Sequence, residues 1–213
     1  MEHCPLCKHE VRETFHRDKR RDYYRCPSCG LTFVPPHQYL HAEAEKAEYD
    51  LHRNRPQDVG YRQFLTRLFE PMIERLAPAG SGLDFGCGPG PTLSVMFEEA
   101  GHEMALYDHF YKIDKSVFNQ KYDFITATEV VEHLHHPMEE LDRLWQCLKK
   151  GGKFAMMTKL ALDETAFSTW HYKNDATHVC FFSEQTARWL ADRWQAKVIF
   201  AAKDVIIFDK SVE

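Results

Sequence analysis

The stretch that decides the fold is Gly82-Leu83-Asp84-Phe85-Gly86-Cys87-Gly88-Pro89-Gly90-Pro91. A short apolar run closes on an acid, and glycines follow at alternate positions (Gly86, Gly88, Gly90). Thr92-Leu93-Ser94-Val95-Met96-Phe97-Glu98-Glu99-Ala100 then carries a helical pattern up to Gly101. The reading is strand, tight turn, helix. Glycines serve such a turn because they adopt positive φ and lack a Cβ, so the backbone can approach a ligand lying across the bend. A bound ligand is expected there.

Working outward, strands and helices alternate. Glu103 to Tyr107 reads as the second strand, ending at Asp108, and Tyr122 to Thr128 as the third. Pro137 sits where a helix tolerates it, at the first position, and Met138, Leu141, Leu144-Trp145 and Leu148 carry that helix to Lys149-Lys150-Gly151-Gly152. Lys153 to Thr158 is the next strand, Ser183 caps a helix running to about Trp194, and Lys197–Phe200 with Val205–Phe208 forms a terminal antiparallel hairpin. Alternation of this kind implies a largely parallel sheet with its ligand site at the carboxyl ends of the strands. Upstream, Tyr61, Phe64-Leu65, Leu68-Phe69, Met72-Ile73 and Leu76 make an amphipathic helix over 60–76, in which Pro71 introduces a kink or a new start.

The N-terminus obeys different rules. Cys4-Pro5-Leu6-Cys7 and Cys26-Pro27-Ser28-Cys29 are two Cys-x-x-Cys turns 18 residues apart. That spacing brings four sulfurs into a tetrahedron around zinc, with a short hairpin through Phe15 and Tyr23-Tyr24 returning the second turn to the first. A ribbon this small has almost no core, so metal binding supplies its folding energy. A redox dithiol is the competing reading. His3, His9 and His16 are bystanders, because four thiolates close the shell. The expected organisation is a zinc ribbon over 1–36, a polar linker over 37–59 containing Tyr39, Tyr49 and His52, and an α/β domain over 60–213.

Leu83 to Gly90 resembles motif I of the class I S-adenosylmethionine-dependent methyltransferases. Asp108 at the end of the second strand, Tyr122-Asp123-Phe124-Ile125-Thr126 leading into Glu129-Val130-Val131-Glu132-His133, and Leu148-Lys149-Lys150-Gly151-Gly152-Lys153 before the following strand extend the likeness. It covers about residues 60 to 213, and the whole chain is similar to bacterial proteins that join a zinc ribbon to this domain. The resemblance implies a Rossmann-like, mostly parallel sheet whose last strand is antiparallel. It also implies cofactor roles: Asp108 for the ribose hydroxyls, Asp84 for the glycine turn or the methionine amine, the turn Gly86, Cys87, Gly88 and Gly90 for the rest, and Thr128 and Glu129 near the sulfonium. There is one departure. Only residues 109–121 separate Asp108 from Tyr122, too few for the usual helix, third strand and connection, so that edge is abbreviated and the usual adenine contact has no counterpart.

Sulfonium is an activated methyl donor, so the protein must chiefly align an acceptor and remove its proton. Glu129, Glu132 and His133 are spaced i, i+3, i+4, which places them on one face of a helical turn. A similar Glu-x-x-Glu-His occurs in ubiquinone-pathway catechol O-methyltransferases and small-RNA 2′-O-methyltransferases, where it binds a divalent cation. The alternative has no metal, with Glu129 touching cofactor and His133 packing under the sheet. Trp170-His171-Tyr172-Lys173-Asn174-Asp175-Ala176-Thr177-His178 is dense in proton-transfer groups: His178 is a candidate general base or fourth ligand beside Glu129, Glu132 and His133, oriented by Asp175 or His171.

Composition narrows the partners. With 213 residues and 44% hydrophobic side chains the chain can build a real core. No apolar run reaches the ~18 residues of a membrane helix, and the N-terminus lacks a secretory layout. The expected location is the cytoplasm. A net charge of −5 does not announce a polyanion partner. The leading expectation is methyl transfer to a small or medium-sized acceptor, hydroxylated or amine-bearing, with a hydroxyl favoured. An RNA methyltransferase gripping phosphate with Arg17 to Arg21 is the second reading, and a non-catalytic cofactor-sensing protein the third. The oligomeric state is not written in the sequence.

Overall fold

The computed structural model describes residues 1–51 and 54–212; His52 and Arg53, within the stretch read as a linker, and Glu213 lie outside the described residues. From the N-terminus come β1 (Glu2–His3), β2 (Glu10–Val11), β3 (Thr14–Arg17), β4 (Asp22–Arg25) and β5 (Thr32–Phe33). Next are α1 (Ala42–Tyr49), α2 (Val59–Ile73), β6 (Ser81–Phe85), α3 (Thr92–Glu99), β7 (Glu103–Tyr107), β8 (Tyr122–Thr128) and α4 (Pro137–Cys147). The chain ends with β9 (Leu148–Met157), α5 (Glu164–Ser168), β10 (Cys180–Phe181), α6 (Glu184–Trp194), β11 (Lys197–Ala202) and β12 (Val205–Asp209).

The central sheet has the order β11-β12-β9-β8-β6-β7. β7, β6, β8 and β9 run parallel, and β12 is antiparallel to both β9 and β11. This is the mostly parallel sheet with an antiparallel last strand that the alternating pattern implied. Among the described residues the sheet stops at β7, because residues 109–121 hold only a turn and one 3-10 stretch, Lys115–Asn119, before β8 begins.

Side chains alternate across each strand, so both faces must be covered. Phe124, Ala155, Met157, Val205 and Ile207 pack under α2 and α3 with Leu65, Leu68, Met72, Leu93 and Phe97. Ile125, Phe154, Met156, Ile206 and Phe208 face the other way, against Leu141, Leu144 and Leu190 of α4 and α6. α6 starts where expected: Ser183 accepts from the Thr186 N–H while the Thr186 hydroxyl accepts from the Ser183 N–H, a capping box.

The N-terminal strands form two small sheets, β1 with β2 by themselves and a second one that a strand of the α/β region completes. β3, β4 and β5 continue into β10, which pairs antiparallel with β5 through Cys180 with Phe33 and Phe181 with Thr32. Phe33, Val34, Phe181 and Phe182 therefore share one apolar core with α4, α6 and the large sheet.

Candidate functional site

The glycine turn is held from two sides. The N–H groups of Gly86 and Cys87 donate to the Tyr107 carbonyl at 2.7 and 3.2 Å, and the Gly88 N–H donates to Asp108 Oδ2 at 2.9 Å. Asp108 Oδ1 accepts from the N–H groups of Phe110 (2.8 Å) and Tyr111 (3.0 Å). The Asp108 carboxylate thus ties the turn after β6 to the turn after β7. Gly88 sits at φ +63°, where a side chain is strained, and a Cβ there would meet nothing within 4 Å. Its open side is the wall of a cavity of about 630 Å³.

Of the residues expected to bind cofactor, Gly86, Cys87, Gly88, Gly90, Asp108, Thr128 and Glu129 all line this cavity. Asp84 does not. It is buried in β6, where its Oδ1 accepts from the Thr126 hydroxyl at 2.9 Å. Burial pushes its carboxyl up to about 7, Thr126 opposing and the charge of Asp108 adding. The Thr128 hydroxyl on the cavity wall is buried and has no hydrogen-bond partner among the described residues.

On the opposite wall the chain reverses at Glu129, which takes a left-handed conformation (φ +52°) and donates its N–H to the Met157 carbonyl. Only Val131–His133 then forms a short 3-10 turn. Glu129, Glu132 and His133 are therefore not presented on one helical face as their spacing suggests. Glu132 points inward and is wholly buried, with its Oε1 accepting the Tyr172 hydroxyl at 2.5 Å and its Oε2 without a partner among the described residues. Burial pushes Glu132 up to about 7 and Glu129, with the charge of Glu132 adding, up to about 8.

His178 closes the cluster. Its Nδ1 lies 2.8 Å from the Tyr172 carbonyl and the Nδ1 of His133 lies 3.2 Å from the Thr177 carbonyl. A carbonyl only accepts, so both imidazoles carry a proton on Nδ1, and His178, which burial keeps neutral, leaves its Nε2 unprotonated. One ligand atom each from Glu132, His133 and His178 lie within 4.8 Å of one another. Glu129 is not in that group; it meets Glu132 through Tyr172, whose hydroxyl is 3.4 Å from Glu129 Oε2. Asp175 Oδ2 stands 3.7 Å from His178 Nε2. Burial pushes His178 down to about 4, His133 adding and Asp175 opposing. His171, expected to orient His178, is not brought to the cluster: its ring is exposed and its Nε2 is 2.9 Å from Lys159 Nζ, off the cavity wall.

The cavity has a roof that the sequence reading passed over. Within 37–59, α1 lays Tyr49 edge-on against His133 and across Phe110, and Glu45 Oε1 accepts the Tyr49 hydroxyl at 3.0 Å and faces His135 Nε2 at 3.7 Å. Tyr111 donates to Asp50 at 2.6 Å, and the Asn54 carbonyl lies so near Gly90 that a Cβ there would be 2.0 Å from it. The aromatics of the stretch, Tyr39 and Tyr49, were the available signal, since a solvated linker has no use for rings.

The second centre lies in the ribbon. Cys4 Sγ is 3.5 Å from Cys29 Sγ and Cys7 Sγ 3.4 Å from Cys26 Sγ, and all four sulfurs fall within 4.8 Å of one another. None is in a disulfide. A closed set of four thiols at this spacing fits a tetrahedral zinc ion by its chemistry. Among the described residues no helix is long and apolar enough to cross a membrane.

Residues 51–199 match the family described as "Methyltransferase domain". No protein of curated function matches the chain in sequence. Among solved structures, an O-methyltransferase family protein from Burkholderia thailandensis is 12% identical, with 80% of this chain and 61% of that one covered at a TM-score of 0.50. The 1,6-didemethyltoxoflavin-N1-methyltransferase of the same organism, solved with 1,6-didemethyltoxoflavin and S-adenosylhomocysteine, is 14% identical over 94% of this chain and 100% of that one, with a TM-score of 0.48.

Proposed function

The chain belongs to the methyltransferase-domain family and is an S-adenosylmethionine-dependent methyltransferase; from that premise we propose that it methylates a hydroxyl of a small acceptor, activated at Glu132, His133 and His178. The cofactor supplies a methyl group already activated on a sulfonium. The glycine turn and Asp108 hold it on one wall, with Phe110 and Tyr111 offering ring faces for its base. A cavity of about 630 Å³ suits a small molecule beside the cofactor.

The observation that carries the acceptor side is the convergence of Glu132, His133 and His178. These residues fit a divalent cation: the Glu132 Oε2 is a carboxyl oxygen buried without a donor among the described residues, and each imidazole is held by an Nδ1–H on a carbonyl, the arrangement that aims Nε2 at a metal. A bound cation lowers the pKa of an acceptor hydroxyl. Without one, His178 is neutral through the physiological range and takes the proton on Nε2, with Asp175 alongside.

An RNA substrate has less support. Within Arg17 to Arg21, Arg17 pairs with Asp22 and Arg21 is buried, which leaves Lys19 and Arg20 for phosphate. The likeness to ubiquinone-pathway enzymes rests on Glu-x-x-Glu-His alone.

The test is metal titration of the zinc-loaded protein. Cobalt(II) is expected to occupy one site beyond the ribbon, with an absorption spectrum of nitrogen and oxygen ligation that is lost in His178→Ala and retained in His171→Ala. S-adenosylmethionine should bind in calorimetry. Cofactor binding with no second cobalt site would replace the cation by the His178 base; no cofactor binding would refute the reading.

A further inference from the structure

We infer that Arg21 is a positioning residue for the acceptor side of the site, and that the cysteine ribbon acts through it as a working wall of the catalytic cavity. The inference rests on the acceptor site proposed above.

Arg21 follows the turn between β3 and β4, and its side chain is buried. Its guanidinium reaches across to the loop that bears His178. Nη1 donates to the carbonyls of Ala176 (3.1 Å) and His178 (2.8 Å), and Nη2 to those of Asp175 (2.8 Å) and Lys173. Four backbone acceptors within six residues converge on one planar fork. Residues 173–178 have no strand or helix to satisfy these carbonyls beyond the short His171–Asn174 turn, and a buried carbonyl without a donor is costly. A delocalised cation with five N–H groups in a rigid plane meets that need; a lysine ammonium, with three donors at one point, cannot span it.

The same loop fixes the chemistry. The Tyr172 carbonyl holds the His178 ring by Nδ1, and the Thr177 carbonyl holds His133. Setting the path of 172–178 therefore sets where both Nε2 atoms point. Further contacts brace the loop from the ribbon. Asp18 pairs with Lys173 at 2.8 Å, and Tyr23 directs its hydroxyl to the Lys173 carbonyl at 3.3 Å. Asp18 in turn accepts from the N–H groups of Arg20 and Arg21, so the turn that carries Arg21 is itself held. The glycine turn and Asp108, which hold the cofactor, share none of these contacts.

The test compares wild type, Arg21→Lys and Asp18→Asn as full-length, zinc-loaded chains; Asp18→Asn keeps the inference open to refutation should Arg21→Lys not fold. Two readouts need no acceptor. The first is the His178 Nδ1–H signal in proton–nitrogen NMR, protected by its carbonyl in wild type. The second is hydrogen exchange mapped by mass spectrometry. In Arg21→Lys the imidazole signal is expected to vanish into solvent exchange. Peptides covering 173–179 should exchange faster by about tenfold or more, while those of β6 and β8 keep wild-type rates. Asp18→Asn should shift the same signals in the same direction, less far, and zinc content and S-adenosylmethionine affinity should hold in both. An unchanged imidazole signal and unchanged exchange at 173–179 would overturn the inference. So would faster exchange spread evenly over the sheet, which would make Arg21 a general stabiliser. Failure of wild type to bind S-adenosylmethionine would sink the functional reading by itself, leaving the loop signals to decide the role of Arg21.

Discussion

Gly88→Ala separates what the glycine turn does for the fold from what it does for the cofactor. Gly88 (φ +63°) and Gly101 (φ +89°) both take the left-handed conformation, and a Cβ at either would meet nothing within 4 Å. Alanine in that conformation costs about 1–2 kcal/mol, partly offset by the ~0.4–1 kcal/mol that a stiffer unfolded chain returns. Each single variant should lose about 1 kcal/mol, a fall in Tm of about 2–4 °C for a chain of this size. Their ligand consequences differ, because Gly88 lines the cavity and Gly101 closes α3 away from it. A methyl group at 88 enters the space of a bound cofactor and should weaken it about tenfold to a hundredfold, or ~1.4–2.8 kcal/mol. Gly101→Ala should bind as wild type does. Calorimetry with S-adenosylmethionine and thermal melts on the same samples give both numbers. Wild-type affinity in Gly88→Ala, or equal loss in the two variants, would refute the placement of the cofactor on this turn.

Two other perturbations test separate parts of the structure. Cys26→Ser breaks the four-thiol site; zinc by elemental analysis should fall from about one equivalent toward none, with a lower melting temperature, since metal binding is coupled to folding while the ribbon keeps its share of the common core. Zinc absent from the wild type would contradict the site. In Asp84→Asn the pH dependence of stability should change. The folded state holds a proton on Asp84 up to about pH 7, whereas the unfolded chain releases it near 3.8, so wild type is penalised progressively as pH rises through that window and fully above it. Asparagine keeps the acceptor for Thr126 and removes the penalty, which by the size of the shift is at most about 4 kcal/mol. Urea unfolding at pH 8 should favour the variant and the gap should close toward pH 5; an equal gap at both would show that Asp84 does not titrate as its burial dictates.

The sheet was legible because its signals are local. Alternate glycines after Asp84, Pro137 at a helix start and Ser183 at a cap each have one physical use, and each stands where that use requires. The glycine-turn wall of the cavity was legible for the same reason, though Asp84 lies behind it. The acceptor wall was not, because its geometry is made by contacts distant in sequence. Spacing placed Glu129, Glu132 and His133 on one turn of helix, but a left-handed Glu129, held by the Met157 carbonyl, turns Glu132 under and leaves Glu129 outside the cluster. His171 and His178 look equivalent on paper; only the fold pairs one with Lys159 and the other with the Tyr172 carbonyl. Arg21 reads as one charge in a basic run, and its four carbonyl partners lie some 150 positions away.

The short connection after β7 accounts for the most unexpected part of the site, the roof. Because the chain turns at once on Asp108, with Phe110 and Tyr111 N–H groups on its Oδ1, their rings are delivered to the cavity. α1 then lies on the rings, Tyr49 against Phe110 and Asp50 accepting from Tyr111, and reaches His133 on the far wall. The segment before α2 thus spans the cavity from the glycine-turn side to the His133 side. Arg21 approaches the acceptor loop from behind while α1 covers it from above. The residues preceding α2 therefore supply both a roof, with Tyr49 on His133, and a back wall, with Arg21 on the loop that bears His178.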